Sequence, residues 1–211
     1  MRLVIVAFVL VFATIPAGFV IADGSHNVGW TINTEDYKGV TISEILVSPS
    51  DEAHDGVDWN SDGVIGIQSD QYIELTNDGS SVVDLSNWTL DDDTNGGSTP
   101  CQIVNMSLAV GESITFYRAT TKIALEYFDA DFAVLMEPDG TIQSQFHYPG
   151  EDSDWDKVYA KGNNGLLVKE DPTPSSVHGT CIAGNATGEP GDYSDSGEWS
   201  INENNYLGVM I

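Results

Sequence analysis

The chain has 211 residues, with 7 Lys plus Arg against 33 Asp plus Glu and a formal net charge of −26. Such a balance argues against nucleic acid or an anionic membrane surface as the partner, because phosphate contacts are made by Lys and Arg. Aromatic and β-branched residues are nonetheless plentiful, so the charge does not imply disorder, and the length suits one domain with tails.

Arg2 is followed by an apolar stretch, Leu3 to Ala22, broken late by Pro16 and Gly18. It reads as a secretory signal with Val20-Ile21-Ala22 as the small-residue cleavage site. The stretch also matches the length of a bilayer span, so an uncleaved amino-terminal anchor is the competing reading. Either way the remainder is secreted or held at the cell surface. Loss of residues 1–22 leaves 6 basic against 33 acidic residues, a charge of −27. Residues 23–39 then form a lead-in strand or linker.

From Val40 onward short strands alternate with strong turn signals, the pattern of an all-β sandwich. Val40–Val47 is the first predicted strand and Tyr72–Thr76 the second, with Asn77-Asp78-Gly79 turning the chain. Ser81–Leu85, Trp88–Leu90, Gln102–Met106 and Ser113–Arg118 follow. In the last of these, Ile114 and Phe116 share one face while Thr115 and Tyr117 take the other. Thr121–Phe128 is predicted as a short helix. Two hairpins close the pattern, one around Pro138-Asp139-Gly140 and one around Gly162-Asn163-Asn164-Gly165. Asp171-Pro172-Thr173-Pro174 ends strand pairing because proline lacks the donor, and a flexible acidic tail is expected beyond it.

Between the first two strands runs Asp58-Trp59-Asn60-Ser61-Asp62-Gly63-Val64, closed by Asp70. Calcium takes six to eight hard oxygens, and side chains at alternate positions of a tight loop converge on one centre. Asp58, Asn60 and Asp62 have that spacing. Gly63 permits the turn, the Val64 carbonyl is the next ligand, and Ile65 tucks toward the core. The twelfth position is Ser69 and the carboxylate of Asp70 comes one residue late, so the expectation is a strand-to-strand calcium loop rather than a helix-loop-helix hand. An acidic solvated turn is the bland alternative.

Cys101 and Cys181 are the only cysteines, and in an exported chain the pair is expected to be bridged, tying the middle of the domain to its tail. Two buried free thiols or an intermolecular bond are the alternatives. No sulfur metal site is plausible with two.

Ile42-Ser43-Glu44-Ile45-Leu46, Tyr72-Ile73-Glu74-Leu75-Thr76-Asn77, Val83-Asp84-Leu85-Ser86-Asn87-Trp88-Thr89-Leu90, Leu108 to Glu112 and Pro172-Thr173-Pro174 together resemble a lamin tail domain over Val40 to Gly179. The resemblance implies an immunoglobulin-like sandwich, of the kind found in nuclear lamins and in exported microbial proteins, generally acting as a binding or tethering module. Asn87 stands where the tryptophan motif usually carries glycine, and lamins lack the acidic loop. Ile73, Leu75, Leu85, Trp88 and Leu90 read as core.

The chain also resembles itself. Residues 30–42, WTINTEDYKGVTI, recur at 199–211 as WSINENNYLGVMI, with seven of thirteen positions identical. The first copy leads into the opening strand and the second follows the acidic Gly-rich linker 180–198 that succeeds the 40–179 domain, as a tandem array predicts. A terminal strand pairing back onto this domain's own sheet is the alternative.

His26, His54, His147 and His178 are scattered, and no G-x-S-x-G, H-E-x-x-H or phosphate-cradling glycine loop is present. Asn87, Asn105 and Asn185 begin glycan acceptor triplets. The function expected is a non-catalytic, calcium-stabilised module of a secreted or surface protein, with a protein or glycan partner and possible tandem neighbours. The alternative is an accessory domain of an exported hydrolase, a nuclease or phosphatase, whose catalytic part is not in this chain.

Overall fold

The computed structural model describes residues 29–93, 97–149, 154–161 and 167–183. The expected signal segment, most of the acidic linker, the Asn185 triplet and the second repeat copy lie outside these residues.

The strands are β1 (Gly29–Ile32), β2 (Val40–Leu46), β3 (Tyr72–Asn77), β4 (Val83–Asp84), β5 (Thr89–Asp91), β6 (Cys101–Ile103) and β7 (Ser107–Leu108). They continue as β8 (Ser113–Tyr117), β9 (Asp131–Met136), β10 (Ile142–Tyr148), β11 (Val158–Lys161), β12 (Leu167–Glu170) and β13 (Cys181–Ala183). One sheet has the order β1-β10-β9-β5-β6-β13, the other β12-β11-β2-β3-β8, and β4 pairs only with β7. All these ladders are antiparallel, and alternation sends one side chain in two toward the facing sheet. Ile45, Ile73, Leu75 and Phe116 thus meet Leu90, Ile103, Leu135 and Phe146 in one core. The all-β sandwich expected from the strand pattern is the fold of the chain.

A bulge at Ser43 sets which side of β2 faces where. Ile42 and Glu44, two residues apart, would point the same way in an unbroken strand. The register instead shifts between them, so Ile42 opposes Leu75 in the core while Glu44 opposes Glu74 on the outer face. Both glutamates are nevertheless buried, at 4 % and 6 % exposure. Their cover is the chain after β12.

Pairing of β12 does end at Glu170, before the prolines. The free tail expected from there is corrected by the structure, which docks residues 171–179 across the outer face of β2, β3 and β8. Thr173 donates its N–H to Glu44 Oε1 at 2.9 Å and its hydroxyl to Oε2 at 2.6 Å. Ser175 donates its N–H to Glu74 Oε2 at 2.8 Å and its hydroxyl to the Ser113 carbonyl at 2.8 Å. Two proline rings lack donors, but Thr173 between them and Ser175 after them keep theirs, and carboxylates accept such N–H groups with charge assistance. The strap then runs beside β8, with Thr115 N–H on the Val177 carbonyl and Gly179 N–H on the Thr115 carbonyl. It ends in β13 on β6, where Cys101 and Cys181 form the expected disulfide with Cα atoms 5.5 Å apart. Strands from Gly29 to Ala183 therefore belong to the sandwich, including the lead-in strand and the first residues assigned to the linker.

The helix expected at Thr121–Phe128 is also corrected. A single turn, α2, spans Arg118–Thr121 and stops at Lys122, whose φ is +63°. Leu125 then donates its N–H to Gln71 Oε1 while its carbonyl accepts from Gln71 Nε2, so one buried amide replaces the helical ladder. Ile123 and Leu125 use the extended path to reach the core.

Candidate functional site

The carboxyl end of β2 and the amino end of β3 lie at one end of the sandwich with the carboxyl end of β8, since Leu46 opposes Tyr72 and Tyr72 opposes Tyr117. Gln71 ties together the two connections that meet there, β2–β3 and β8–β9. It is fully buried and donates to the carbonyls of Val47 at 2.7 Å and Leu125 at 2.6 Å, while Arg118 Nη1 donates to its Oε1 at 2.9 Å. A side-chain amide carries two donors and an acceptor, which suits it to joining segments that cannot pair as strands.

The acidic loop projects from this end. Asp58 accepts the N–H groups of Asp62 (3.1 Å) and Gly63 (2.9 Å), Asn60 Oδ1 accepts that of Asp62 (2.8 Å), and Asp62 Oδ1 accepts that of Val64 (2.8 Å). The last two are successive Asx turns, and the Asp58 carboxylate closes the loop by bonding N–H groups four and five residues on. Val64 itself is 54 % exposed, whereas Ile65 packs against Gly56. One short helical turn, α1 (Ile67–Asp70), leads into β3.

Asp70 is placed differently from the other three. Its side chain is fully buried, and it accepts N–H bonds from Trp59 (2.9 Å), Asn60 (3.3 Å) and Gly66 (2.8 Å). It clamps both ends of the loop. Burial raises its pKa, with the nearby Asp58 charge adding to the rise, whereas the Ser69 hydroxyl on Asp62 Oδ2 at 2.6 Å lowers that of Asp62. Among the described residues no three His, Cys, Asp or Glu side chains converge as a metal-holding group. Asp58, Asn60 and Asp62 lie at alternate positions of one loop, and their side-chain oxygens accept that loop's own N–H groups.

Trp59 fixes the loop to the sheet. Its ring joins Leu46, Tyr72, Tyr117 and Val158 in a second apolar cluster on the outer face, its indole N–H donates to Asp156 at 3.0 Å, and its carbonyl accepts the Tyr117 hydroxyl at 2.9 Å. Asp156 also accepts the Ser50 N–H at 3.1 Å. The neighbouring surface carries an exposed ring pair, His54 stacked on Trp155 at 4.8 Å, with Trp155 44 % exposed. His54 Nδ1 lies 2.5 Å from Asp51, so it belongs to an acidic surface and not to the loop's oxygen set.

Three more carboxyls at this end have no counterpart in the sequence reading. Asp91 and Asp92 are 3 % and 2 % exposed at the end of β5, and Asp131 begins β9. Asp92 accepts the Ser98 N–H at 2.8 Å and hydroxyl at 2.6 Å, and Asp131 accepts the Glu126 N–H and the Tyr148 hydroxyl, both at 3.0 Å. Burial raises all three, Asp91 to about 8 and Asp131 to about 7, with the Asp92 charge contributing in both cases. In a chain with 33 acids, nothing local in the sequence marks Asp91 and Asp92 as buried or Asp131 as half-buried.

An antiparallel two-sheet sandwich with loops gathered at one end defines the class: an immunoglobulin-like β-domain. The family model of the lamin tail domain matches residues 33–157, more than half of the chain, and the chain belongs to that family. Domains of this family are generally non-catalytic. A search of curated proteins finds no match. The motif position usually held by glycine has a physical reason here: Asn87 has φ +67°, which glycine adopts freely and asparagine tolerates better than other side chains. The matched span ends before β11, β12, the Glu44–Glu74 strap and β13.

Proposed function

We propose that the chain is a non-catalytic, calcium-stabilised binding or structural module of a secreted or cell-surface protein, and one unit of a tandem array. The observation that carries this reading is the Asp58–Asp62 loop, curled by its own side-chain oxygens and fastened to the sheet through Asp70 and Trp59. Asp58, Asn60, Asp62 and the Val64 carbonyl would hold the calcium ion. Bound there, the ion supplies positive charge that offsets repulsion between the loop's carboxylates. A stiffened loop beside the exposed Trp155–His54 pair presents a fixed surface to a protein or glycan partner.

The tandem reading is supported by what the seven repeated residues do in their first copy. Trp30 packs on the core, and Val40 and Ile42 are fully buried in it. Asn33 Oδ1 turns the chain by accepting the N–H groups of Glu35 and Asp36 at 3.0 Å each, and the Tyr37 hydroxyl donates to Asp78. Gly39 has φ +92°, and a Cβ there would lie 2.8 Å from the Gly79 Cα. Ile32 ends β1. Residues 199–211 repeat all seven identities while changing most of the solvent-facing ones, as a second opening element of the same fold requires.

Calorimetry with and without calcium tests the proposal. At a calcium concentration a hundredfold above Kd, one site adds about 2.7 kcal/mol, or roughly 5–10 °C in Tm for a domain of this size. Asp58→Asn with Asp62→Asn abolishes that rise. A Tm unmoved by calcium or by chelator refutes the site, and a reading frame beyond Ile211 without a further sandwich pattern refutes the array.

A further inference from the structure

The β4–β5 and β6–β7 turns lie side by side at one edge of the sandwich. Leu85 N–H donates to the Met106 carbonyl and Asn87 N–H to the Ile103 carbonyl, each at 2.8 Å. Each turn presents an asparagine of an Asn-x-Ser/Thr triplet: Asn87, exposed with φ +67°, and Asn105, exposed with φ +47°. A transferase acting on such a triplet needs both the asparagine amide and the hydroxyl two residues on, held in a looped backbone that projects from the surface.

The two triplets differ in whether that hydroxyl can be reached. Thr89 lies inside β5, held between Gln102 of β6 and Met136 of β9, and Trp88 before it is only 5 % exposed. Ser107 is exposed and starts β7, a two-residue strand whose partner is β4. Opening a two-residue ribbon disturbs little of the sandwich, whereas freeing Thr89 breaks the middle of a six-stranded sheet.

We propose that Asn105 is an N-glycosylation site, modified on the folded domain, with a polyisoprenyl-phosphate-linked oligosaccharide as donor. Asn105 Nδ2 attacks the anomeric carbon of the donor sugar, the new C–N bond forms as the C–O bond to the lipid phosphate breaks, and the amide gives up one proton to solvent. The lipid phosphate leaves. Beside Asn105 lies an open groove of about 400 Å³, with Met106, Leu108 and Val177 among its apolar walls and Ser107, Glu112 and Ser175 among its polar ones. A first sugar on Asn105 is positioned at its rim. The inference rests on export, because such donors face the outside of the membrane.

The test is mass spectrometry of intact glycopeptides from the protein recovered from its own host, with the protein's location determined in the same fractions. Extracellular protein bearing saccharide mass on the Asn105 peptide is the expected result, and both Asn105→Gln and Ser107→Ala remove that mass. The serine variant leaves the positive-φ asparagine in place, so a folding defect in the first variant does not obscure the answer. Extracellular protein with a bare Asn105 overturns the glycosylation inference and leaves the export reading standing. Protein confined to the cytoplasm overturns both.

Discussion

Replacing Asp131 by asparagine should make the protein more stable at pH 8 and leave it nearly unchanged at pH 4. Burial moves this carboxyl from an ordinary value of 3.8 up to about 7. The native state therefore holds the proton more tightly than the unfolded chain. The stability this group contributes is complete below pH 4 and is lost as pH rises through about 7. A gap of roughly three pH units, at about 1.4 kcal/mol per unit, sets a ceiling of about 4 kcal/mol on the loss. Asparagine keeps an acceptor for the Glu126 N–H and the Tyr148 hydroxyl but gives a weaker bond than a carboxylate, which subtracts about 1 kcal/mol. The expected gain at pH 8 is about 2–3 kcal/mol. Urea unfolding of both proteins at pH 4 and pH 8 measures it, and taking the difference between them cancels the repulsion of the other 32 acids. An Asp131→Asn protein that is destabilised equally at both pH values would refute the reasoning, because the carboxylate would then be stabilised, not strained, by its surroundings.

The strap gives a second test: Ser175→Pro removes the N–H that serves Glu74 and Thr115, and should cost about 1–3 kcal/mol in urea unfolding, more than Ser175→Ala, which keeps that N–H. Equal costs would mean that the buried glutamate does not depend on the strap. Replacing both Cys101 and Cys181 by serine opens a link across 80 residues and should lower stability by about 3–4 kcal/mol by the same measurement. At Asn87, alanine should cost about 1 kcal/mol in thermal unfolding while glycine is neutral or stabilising, since only the backbone angle is at stake.

Much of the sandwich was written into local pattern. Ile114 and Phe116 against Thr115 and Tyr117, the Gly140 hairpin, the pairing of β11 with β12, and the order of the lamin-tail motifs each depend on neighbours in the chain, so they were legible before any contact was known. The acidic loop was legible as a loop for the same reason. Its closing carboxylate was not: Asp70 sits beside Ser69 in sequence, but whether it faces a cation or clamps backbone N–H groups depends on where Trp59 and Gly66 come to rest.

The tertiary structure decided the rest, and it did so where groups distant in sequence share one low-dielectric space. Alternation with Ile42 would turn Glu44 into the core; the Ser43 bulge sends it to the outer face instead, and a strap 129 residues away encloses it there. Pro172 and Pro174 correctly ended β12, but proline signals only that a ladder stops; it carries no information about the carboxylates that accept the next free N–H groups. Asp91, Asp92 and Asp131 look like the acids that remain in water. Periodicity follows from the chain's own geometry, whereas the free energy of a buried charge depends on what the fold brings against it.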